Sequence, residues 1–419
     1  MLALAAALVP VVVLQQGADP LAGAPVAAEG VDTGGGGSPA GSAASVLPVI
    51  RHVGTATATS RSDDATVAAV LADLNAYWSV TLPANFGKPF VPLEGGYVSI
   101  DSTAATGSSW CIGTPSDIAG NAYYCPAGDG IVYDSAGLIP VLIGSYGAAG
   151  LTAALAHEFG HAIQAQIGPT AQERAAHPDR YPGILIEAQG DCYAGAFLNW
   201  TVAGHSTRVR IPASSMVRAA APQLDFRDPV TLAVGDPTSH GTGLDRLNAV
   251  LLGYSSGAKA CSTLTRAAMT PALARPGASF GAPSTTARFA ELSGALAAGR
   301  ASVLGFAGSL PNNPSTVAAG SPLPADLAAA RPYGQFAQAA TVALAVGRAV
   351  TGNDLGATCF TGAWTASVFG TAPPGALGSW PGDADEALDL LRARPTATFE
   401  ELAGFADGFR FGFQACRKG

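Results

Sequence analysis

The sequence predicts a mainly helical α+β protein in two parts, and three observations lead to that prediction. Most apolar residues recur at helical spacing in Ala- and Leu-rich stretches without proline. Only two short segments, 97–101 and 131–133, have the alternating or β-branched pattern of strands. At 419 residues the chain is long for one domain. We expect a signal-like segment and linker over 1–45, a first domain over 46–270 with a small sheet, and a helical domain over 271–419.

Composition and charge exclude some partners. Hydrophobic residues make up 48% of the chain, which allows a large core, and charged residues only 12%. The net charge is −8 and there are three lysines, so no basic patch is available. The charge therefore argues against nucleic acid and anionic membrane surfaces as partners.

The first residues resemble a secretory signal. Residues 1–14 carry no charged or polar side chain, and such a run is too short to span a bilayer but suits the apolar core of a signal peptide. Small residues follow, although no Lys or Arg precedes the run. A Gly/Ser-rich stretch at 34–42 has the composition of a flexible linker, which argues against a buried strand or helix. We expect a secreted or extracytoplasmic protein, with membrane contact only if this segment stays uncleaved.

The cysteines point to the same compartment. There are six, at 111, 125, 192, 261, 359 and 416, and none forms a CxxC pair. An even number without such a pair is typical of disulfides in an oxidising compartment and not of a cysteine zinc site. Cys111 and Cys125 enclose a polar loop, so a disulfide between them is the simplest closure.

The first helix and the two strands are predicted from the spacing of apolar residues and from the residue types. A core helix is predicted from Ser62, because apolar residues from Val67 to Trp78 recur at helical spacing. Residues 97–101 alternate as a strand. The turn 128–130 leads into the second strand, 131–133, which we expect either to bind extended substrate or to belong to an ordinary hairpin.

The most informative stretch is His157-Glu-Phe-Gly-His161, within a proline-free helix predicted over about 145–167. Residues i and i+4 share one helix face, so both imidazoles can point at one zinc ion. Glu158 lies beside them as a candidate general base. Gly160 is a poor helix former, which suggests that another segment or a substrate strand passes close to it.

Two histidines need a third protein ligand. A histidine six residues after His161, with a glycine between them, would complete one known pattern, but Gln164 and Ile167 stand at those positions. The rival His177 lies beside Pro178 among charged residues, as a solvated loop histidine would.

Glu187 is the stronger candidate for the third ligand. It lies on a predicted helix that begins near Ile184, in an apolar stretch where an unpaired carboxylate is costly to bury. Asp191 is one turn further on the same face. It could accept the N–H of a ligand histidine and so fix the tautomer of that histidine.

These motifs resemble the bacterial putative neutral zinc metallopeptidase family. Four segments carry the resemblance in the family's order, over about 95–262: Tyr124-Cys-Pro-Ala-Gly-Asp129, Ala156-His-Glu-Phe-Gly-His-Ala-Ile-Gln164, Glu187-Ala-Gln-Gly-Asp-Cys-Tyr-Ala-Gly195, and His240-Gly-Thr with Asp245-Arg246 and Cys261. Phe159, Gly190 and Asp245 depart from the usual residues, and none is a ligand. The resemblance implies a zincin-like peptidase domain in which His157, His161 and Glu187 bind one zinc ion and Glu158 is the catalytic base.

His240 lies in a loop before a helix predicted over 244–252. Zinc peptidases of this kind commonly use a later histidine to stabilise the oxyanion, which is the catalytic hypothesis for His240. A helix-capping or buried structural histidine is the alternative. Tyr133 and Tyr193 are the other candidate donors.

The C-terminal third contains an echo of the zinc-binding helices. Residues 358–364 resemble 191–197, and 344–350 can be laid on 157–163. We expect a helix over 286–306, a loop over 308–324 and a degenerate second copy of the two-helix unit. Chance similarity between Ala-rich helices is the alternative.

This copy should not bind zinc, because Leu344, Ala345 and Arg348 replace the two histidines and the base. Cys416 ends a helix-like stretch as Cys261 does. The repeat therefore suggests the disulfides Cys192–Cys261 and Cys359–Cys416.

The expected function is that of an exported zinc peptidase acting on peptides or proteins. One alternative is an inactive binding or scaffold protein stabilised by zinc, but that predicts a closed four-ligand site and leaves Glu158 without a role. The other is a zinc amidase acting on a cell-wall bond. Aromatic residues make up only 7% of the chain and no sugar-binding repeat is visible, which disfavours it.

Overall fold

The computed structural model describes residues 47–54, 58–228, 239–265, 295–310, 322–369 and 381–417. As predicted, the protein is a mainly helical α+β structure, 67% helical, with a small sheet. The signal-like segment and linker at 1–45 lie outside the described residues. So does the expected domain boundary at 270, which stays a prediction.

The strands are β1 Ile50–Val53, β2 Gly96–Ile100, β3 Ala122–Cys125 and β4 Gly130–Asp134. The helices of the first part are α1 Ala58–Phe86, α2 Leu138–Ile167, α3 Ala171–Ala176, α4 Gly183–Val202, α5 Met216–Asp225 and α6 Gly243–Cys261. Those of the second part are α7 Ala295–Ser309, α8 Pro324–Ala330, α9 Gln335–Thr351, α10 Asp354–Val368, α11 Pro381–Arg392 and α12 Phe399–Phe411.

The sheet has the order β1-β2-β4-β3. The first three of these strands run parallel, and β3 is antiparallel to β4. The hypothesis that residues 131–133 bind substrate is wrong. They lie in β4, whose main-chain groups are used by β2 on one side and β3 on the other, so the free edge beside the helices belongs to β3.

The two faces of the sheet have different neighbours. Tyr97, Ile131 and Tyr133 belong to the helical core. On the opposite face, Val98 and Val132 belong to a small cluster with residues of the loop that precedes β3. The predicted Cys111–Cys125 disulfide closes that loop and is present.

The long helices start earlier than the sequence indicates. The core helix α1 begins at Ala58 and not at Ser62. The metal-site helix α2 begins at Leu138, ahead of the predicted start near 145, and is broken at Gly147 (φ 67°, ψ −171°). By length and composition both helices could cross a membrane, but more than half of the most apolar window of each is buried inside the protein, as expected for core helices.

The predicted repeat is supported by matching helix contacts. A β-carbon added at Gly160 of α2 would lie 3.1 Å from the Cα of Gly190 on α4. In the second part, a β-carbon added at Gly347 of α9 would lie 3.0 Å from the Cα of Ala357 on α10. When the two copies are aligned in sequence, Gly160 pairs with Gly347, and Gly190 pairs with Ala357.

The third helix of each copy also contacts the second helix closely at a glycine. A β-carbon at Gly253 of α6 would lie 1.7 Å from the carbonyl oxygen of Cys192, and one at Gly408 of α12 would lie 2.0 Å from that of Cys359. The predicted disulfides Cys192–Cys261 and Cys359–Cys416 are both present. Each ties the second helix of its copy to the end of the third helix or the turn that follows.

The second copy carries an ion pair where the first has two candidate ligands. Arg348 stands at the position of His161 and Asp354 at that of Glu187, and the guanidinium of Arg348 contacts the carboxylate of Asp354. A fixed positive charge from arginine therefore lies where the first copy has an imidazole.

The tight helix contacts generate a stability prediction. Gly362→Ala should lower the free energy of unfolding by about 1–3 kcal/mol or more, because the new β-carbon would lie 1.9 Å from the backbone oxygen of Phe405. Gly305→Ala is the matched control: it lies within α7, a β-carbon added there would meet no atom within 4 Å beyond the neighbouring helix backbone, and it should stabilise by about 0.5–1 kcal/mol. Chemical denaturation measures both, and equal effects would contradict the predicted packing.

Candidate metal centre

Three ligating side chains converge from α2 and α4. The Nε2 atoms of His157 and His161 lie 3.2 Å apart. The Glu187 Oε2 atom lies 3.2 Å from the His157 Nε2 and 3.4 Å from that of His161. Among the described residues, these three form the one group of metal-ligating side chains close enough to share an ion.

The donor set fits zinc. Zinc bonds to imidazole nitrogen and carboxylate oxygen are about 2.0–2.2 Å long, so tetrahedral ligand atoms lie about 3.3–3.5 Å apart. The observed triangle of 3.2, 3.2 and 3.4 Å has this size. Two imidazoles and one carboxylate also leave the fourth position open, as catalytic zinc sites do.

The close approach of the two helices makes this convergence possible. The sequence suggested that another segment passes close to Gly160, and that segment is α4. A β-carbon at Gly160 would lie 3.1 Å from the Cα of Gly190 on α4. A β-carbon at Gly190 would lie 3.1 Å from the His157 ring and 3.3 Å from that of His161. The two glycines thus let imidazoles on one helix reach a carboxylate on the other.

Asp191 contacts His157 as the sequence suggested. Its Oδ1 lies 2.7 Å from the His157 Nδ1, which leaves the Nε2 to face the metal position. The buried carboxylate also accepts two hydrogen bonds from Arg246, of 2.8 and 2.9 Å. Sequence reasoning noted Arg246 only as part of a motif. No spacing rule links two residues 55 positions apart on different helices.

Gln164 holds the second histidine. Its Oε1 lies 3.0 Å from the His161 Nδ1, and its Nε2 donates to the carbonyl of Ile186 at 2.7 Å. The side chain therefore orients the His161 ring and ties α2 to α4. This role was missed, although the i+3 spacing from His161 was a usable signal.

Paired charges dominate the electrostatics of the cluster. Burial opposes the charged form of His157, but Asp191, Glu187 and Glu158 outweigh it and raise the pKa of His157 to about 10. Burial is likewise outweighed at Glu187, where His161 and His157 hold the pKa well below its ordinary value. The carboxylate is therefore ionised, and a metal ion has to displace a proton from the imidazoles.

Glu158 lies beside the cluster without joining the triangle. Its Oε1 is 3.9 Å from the His157 Nε2, and its Oε2 accepts the backbone N–H of Tyr124 at 3.2 Å. Burial raises the pKa of Glu158, and the two histidines partly oppose that rise. A carboxylate with a raised pKa next to a metal position has the properties of a general base.

His240 lies at the rim, with its Nε2 3.6 Å from the Glu187 Oε2. The other candidate donors are elsewhere. Tyr133 is fully buried and donates to Asp64, and Tyr193 packs edge-on against Trp78 in the core. These two were wrong as candidates. The rival ligand His177 is exposed at the end of α3 and contributes nothing to the cluster.

A cavity of about 90 Å³ opens beside the cluster. His157, Glu158 and His240 border it at one side, and α5 and the first half of α2 contribute apolar walls. The cavity therefore adjoins the cluster at His157 and Glu158.

Comparison with known proteins identifies the family. A family model described as "Putative neutral zinc metallopeptidase" matches residues 33–264, more than half of the chain. The match includes both ligand-bearing helices and His240, and it confirms the resemblance seen in the sequence. Searches of curated proteins and of solved structures found no match.

The pairing of His157 with Asp191 generates a prediction for the zinc-free protein. The raised pKa means that ¹H–¹⁵N NMR at pH 8.5 should show His157 with both ring nitrogens protonated. In Asp191→Asn the ring should be neutral at that pH, and in the exposed control Asp179→Asn it should stay charged. A single neutral tautomer in the wild type would contradict the prediction.

Protonation of His157 also contributes to the stability of the zinc-free protein, and its raised pKa decides how that contribution depends on pH. The folded-state pKa lies above the unfolded value of about 6.5. The contribution to zinc-free stability is therefore complete below pH 6.5 and is lost as the pH rises through about 10.

Proposed function

The chain belongs to the putative neutral zinc metallopeptidase family, and we propose that it is a peptidase with one zinc ion held by His157, His161 and Glu187. Glu158 is the proposed general base. The observation that carries this proposal is the triangle of candidate ligand atoms with sides of 3.2–3.4 Å, bordered by the carboxylate of Glu158 and a cavity.

The chemistry divides between the ion and the chain. When bound, zinc supplies a Lewis acid that polarises the peptide carbonyl and acidifies water. Glu158 takes the proton from the attacking water and delivers it to the leaving amine. Burial raises the pKa of Glu158, which makes it a better proton acceptor than an ordinary carboxylate. The Tyr124 N–H fixes one oxygen of Glu158, so the other is free to receive the proton.

His240 is proposed to stabilise the negative charge that develops on the carbonyl oxygen. Its backbone N–H donates to Asp228 at 3.0 Å, and its Nδ1 lies 3.6 Å from the same carboxylate. This arrangement leaves the Nε2 directed toward the Glu187 side of the cluster. A preorganised donor at such a position typically contributes about 10²–10³-fold to kcat.

The edge strand β3 supports a peptide as substrate. Neighbouring residues of a strand point their main-chain groups in opposite directions, and the Tyr124 N–H points away from β4, to Glu158. The Tyr124 N–H is used by Glu158, and the Ala122 N–H donates to the Asn121 Oδ1 at 2.8 Å. The carbonyl oxygens of Ala122 and Tyr124 are therefore the main-chain groups presented at the free edge beside the base. An extended peptide can pair there as an added strand, which puts one of its carbonyls near the metal position.

The scaffold alternative receives less support. A structural zinc site is closed by four protein ligands, whereas this cluster has three. All six cysteines are in disulfides, so none can complete it. No observation favours the cell-wall amidase over a peptidase.

We also propose an extracytoplasmic location. Three disulfides are compatible with an oxidising compartment, and the apolar segment 1–14 fits a signal sequence.

Replacing the base tests the mechanism. Glu158→Gln should retain about one zinc ion per chain, because the ligands are intact, but lose at least about 10³-fold in peptide hydrolysis. Cleavage of a peptide library, with zinc measured by elemental analysis, gives both readouts. Glu173→Gln, on the exposed helix α3, is the control and should cleave as the wild type does.

Wild-type cleavage should also stop on chelation and return with zinc. Full hydrolysis by zinc-loaded Glu158→Gln, or cleavage that a chelator does not affect, would refute the assignment.

A further inference from the structure

The cavity beside Glu158 has a lining that the general chemistry of hydrolysis does not require. The apolar part of its lining comes from both halves of α2, from α5 and from the residue after α5: Leu138, Ile139, Leu142, Leu155, Pro222 and Phe226. Asn121 and Gln223 add polar, uncharged side chains. We propose that it binds a bulky apolar side chain, such as leucine or phenylalanine, adjacent to the scissile bond. This proposal rests on the peptidase function proposed above.

Charge and position support this substrate class. The charged or titratable residues that line the cavity are His157, Glu158, His240 and Arg246. The first three border the reaction centre, and the guanidinium of Arg246 is paired with Asp191. Among the described residues of the lining, no unpaired charge therefore remains to bind an acidic or basic side chain, and burying one there would be unfavourable.

The cavity also begins where a peptide would lie. Asn121 and Ala122, at the start of β3, form part of its lining. A peptide paired with the β3 edge would have its main chain next to these residues and the carbonyl to be cleaved near Glu158. A neighbouring side chain of that peptide then faces the apolar walls.

The test compares kcat/KM on peptides that differ only at the two residues flanking the cleaved bond. At one of these positions, leucine or phenylalanine should be preferred over glycine or aspartate by roughly 10- to 100-fold. Ala154→Phe places a ring in the cavity and should reverse the preference toward small residues. Ala165→Phe is the matched control, since it is exposed on the same helix and should keep the wild-type preference.

The result that overturns the proposal is a preference that is flat, favours charge, or is unchanged in Ala154→Phe. Binding of the leucine and glycine peptides to zinc-loaded Glu158→Gln, by calorimetry, separates the two proposals. Tighter binding of the leucine peptide without hydrolysis by the wild type supports the subsite and rejects the peptidase function. Equal binding rejects the subsite alone.

A second, independent observation concerns helix α11, which lies outside the matched residues 33–264. It contacts the chain on both sides of His240. The Arg227 guanidinium lies 2.9 Å from Asp389 and 3.4 Å from Asp385. The Asp385 Oδ1 also accepts the backbone N–H of Leu244, at 3.1 Å, at the start of α6.

The residue next to Arg227 holds the histidine itself. The Asp228 carboxylate accepts hydrogen bonds from the backbone N–H groups of His240 and Gly241, at 3.0 and 2.7 Å, and from the Ser239 hydroxyl at 2.6 Å. We infer that α11 positions His240: it fastens Arg227 before the loop and Leu244 after it, and Asp228 transmits the constraint. Arg227, Asp385 and Asp389 are positioning residues, because none of them touches the metal position.

The test is a double-mutant cycle. Arg227→Met should lower kcat by about 10-fold or more with little change in KM or zinc affinity. A displaced His240 would no longer be placed to donate to the oxyanion, whereas the groups that bind substrate and zinc would stay in position. In a His240→Ala background the same substitution should have almost no further effect. Arg227→Lys should recover part of the rate. Arg348→Met removes an exposed ion pair of the second copy and should leave kcat unchanged.

Hydrogen exchange of residues 239–244 in zinc-free protein is the readout that does not depend on activity. It should be faster in Arg227→Met and unchanged in Arg348→Met. Equal exchange in both variants, or an equal loss of kcat with and without His240, would overturn the inference. Should Arg227→Met fail to fold, Asp389→Asn removes the closer partner and is subject to the same criteria.

Discussion

The contact between α2 and α4 at Gly160 and Gly190 is the constraint on which the site depends. Two candidate ligands are on one helix and the third is on the other, so the distance between the helix axes sets the size of the triangle of candidate ligand atoms. A β-carbon at Gly160 or Gly190 would lie 3.1 Å from its nearest neighbour, so α2 and α4 would have to separate by a few tenths of an ångström to accept it. Glycine within a helix costs about 0.5–1 kcal/mol relative to alanine. The Cys192–Cys261 disulfide and the close packing of α6 on α4 help to offset that cost.

Around this contact the site is a buried network of paired charges. Asp191 lies between His157 and Arg246, and Gln164 links His161 to the backbone of α4. Removing one partner from a buried pair typically costs about 3–5 kcal/mol, because the other charge is left uncompensated. The network therefore fixes the imidazoles before metal arrives. The second copy has the same helix contacts but uses Arg348 and Asp354 in place of ligands, so the packing of the unit does not itself require a metal.

Much of the candidate site could be predicted from the sequence, because the shared faces of its residues depend on their spacing within one helix. His157 and His161 are one turn apart, and so are Glu187 and Asp191, and their shared faces follow from helical geometry alone. The disulfides Cys192–Cys261 and Cys359–Cys416 followed from the repeat, and Cys111–Cys125 followed from the loop that these two cysteines enclose. Contacts between distant elements carry no such signal. The pairing of Arg227 with Asp389 spans 162 residues, and nothing local marks β3 as the edge strand or Tyr133 as buried. The break at Gly147 was missed because glycine tolerates helix and non-helix alike.

The most direct test of the central claim is X-ray absorption spectroscopy at the zinc edge of the loaded protein. Two imidazole nitrogens and a carboxylate oxygen from His157, His161 and Glu187 predict a first shell of nitrogen and oxygen at about 2.0–2.1 Å, with imidazole multiple scattering and no sulfur. Glu187→Ala should lose the stoichiometric zinc or change that shell. A wild-type spectrum without imidazole scattering, or one that Glu187→Ala leaves unchanged, would contradict the account.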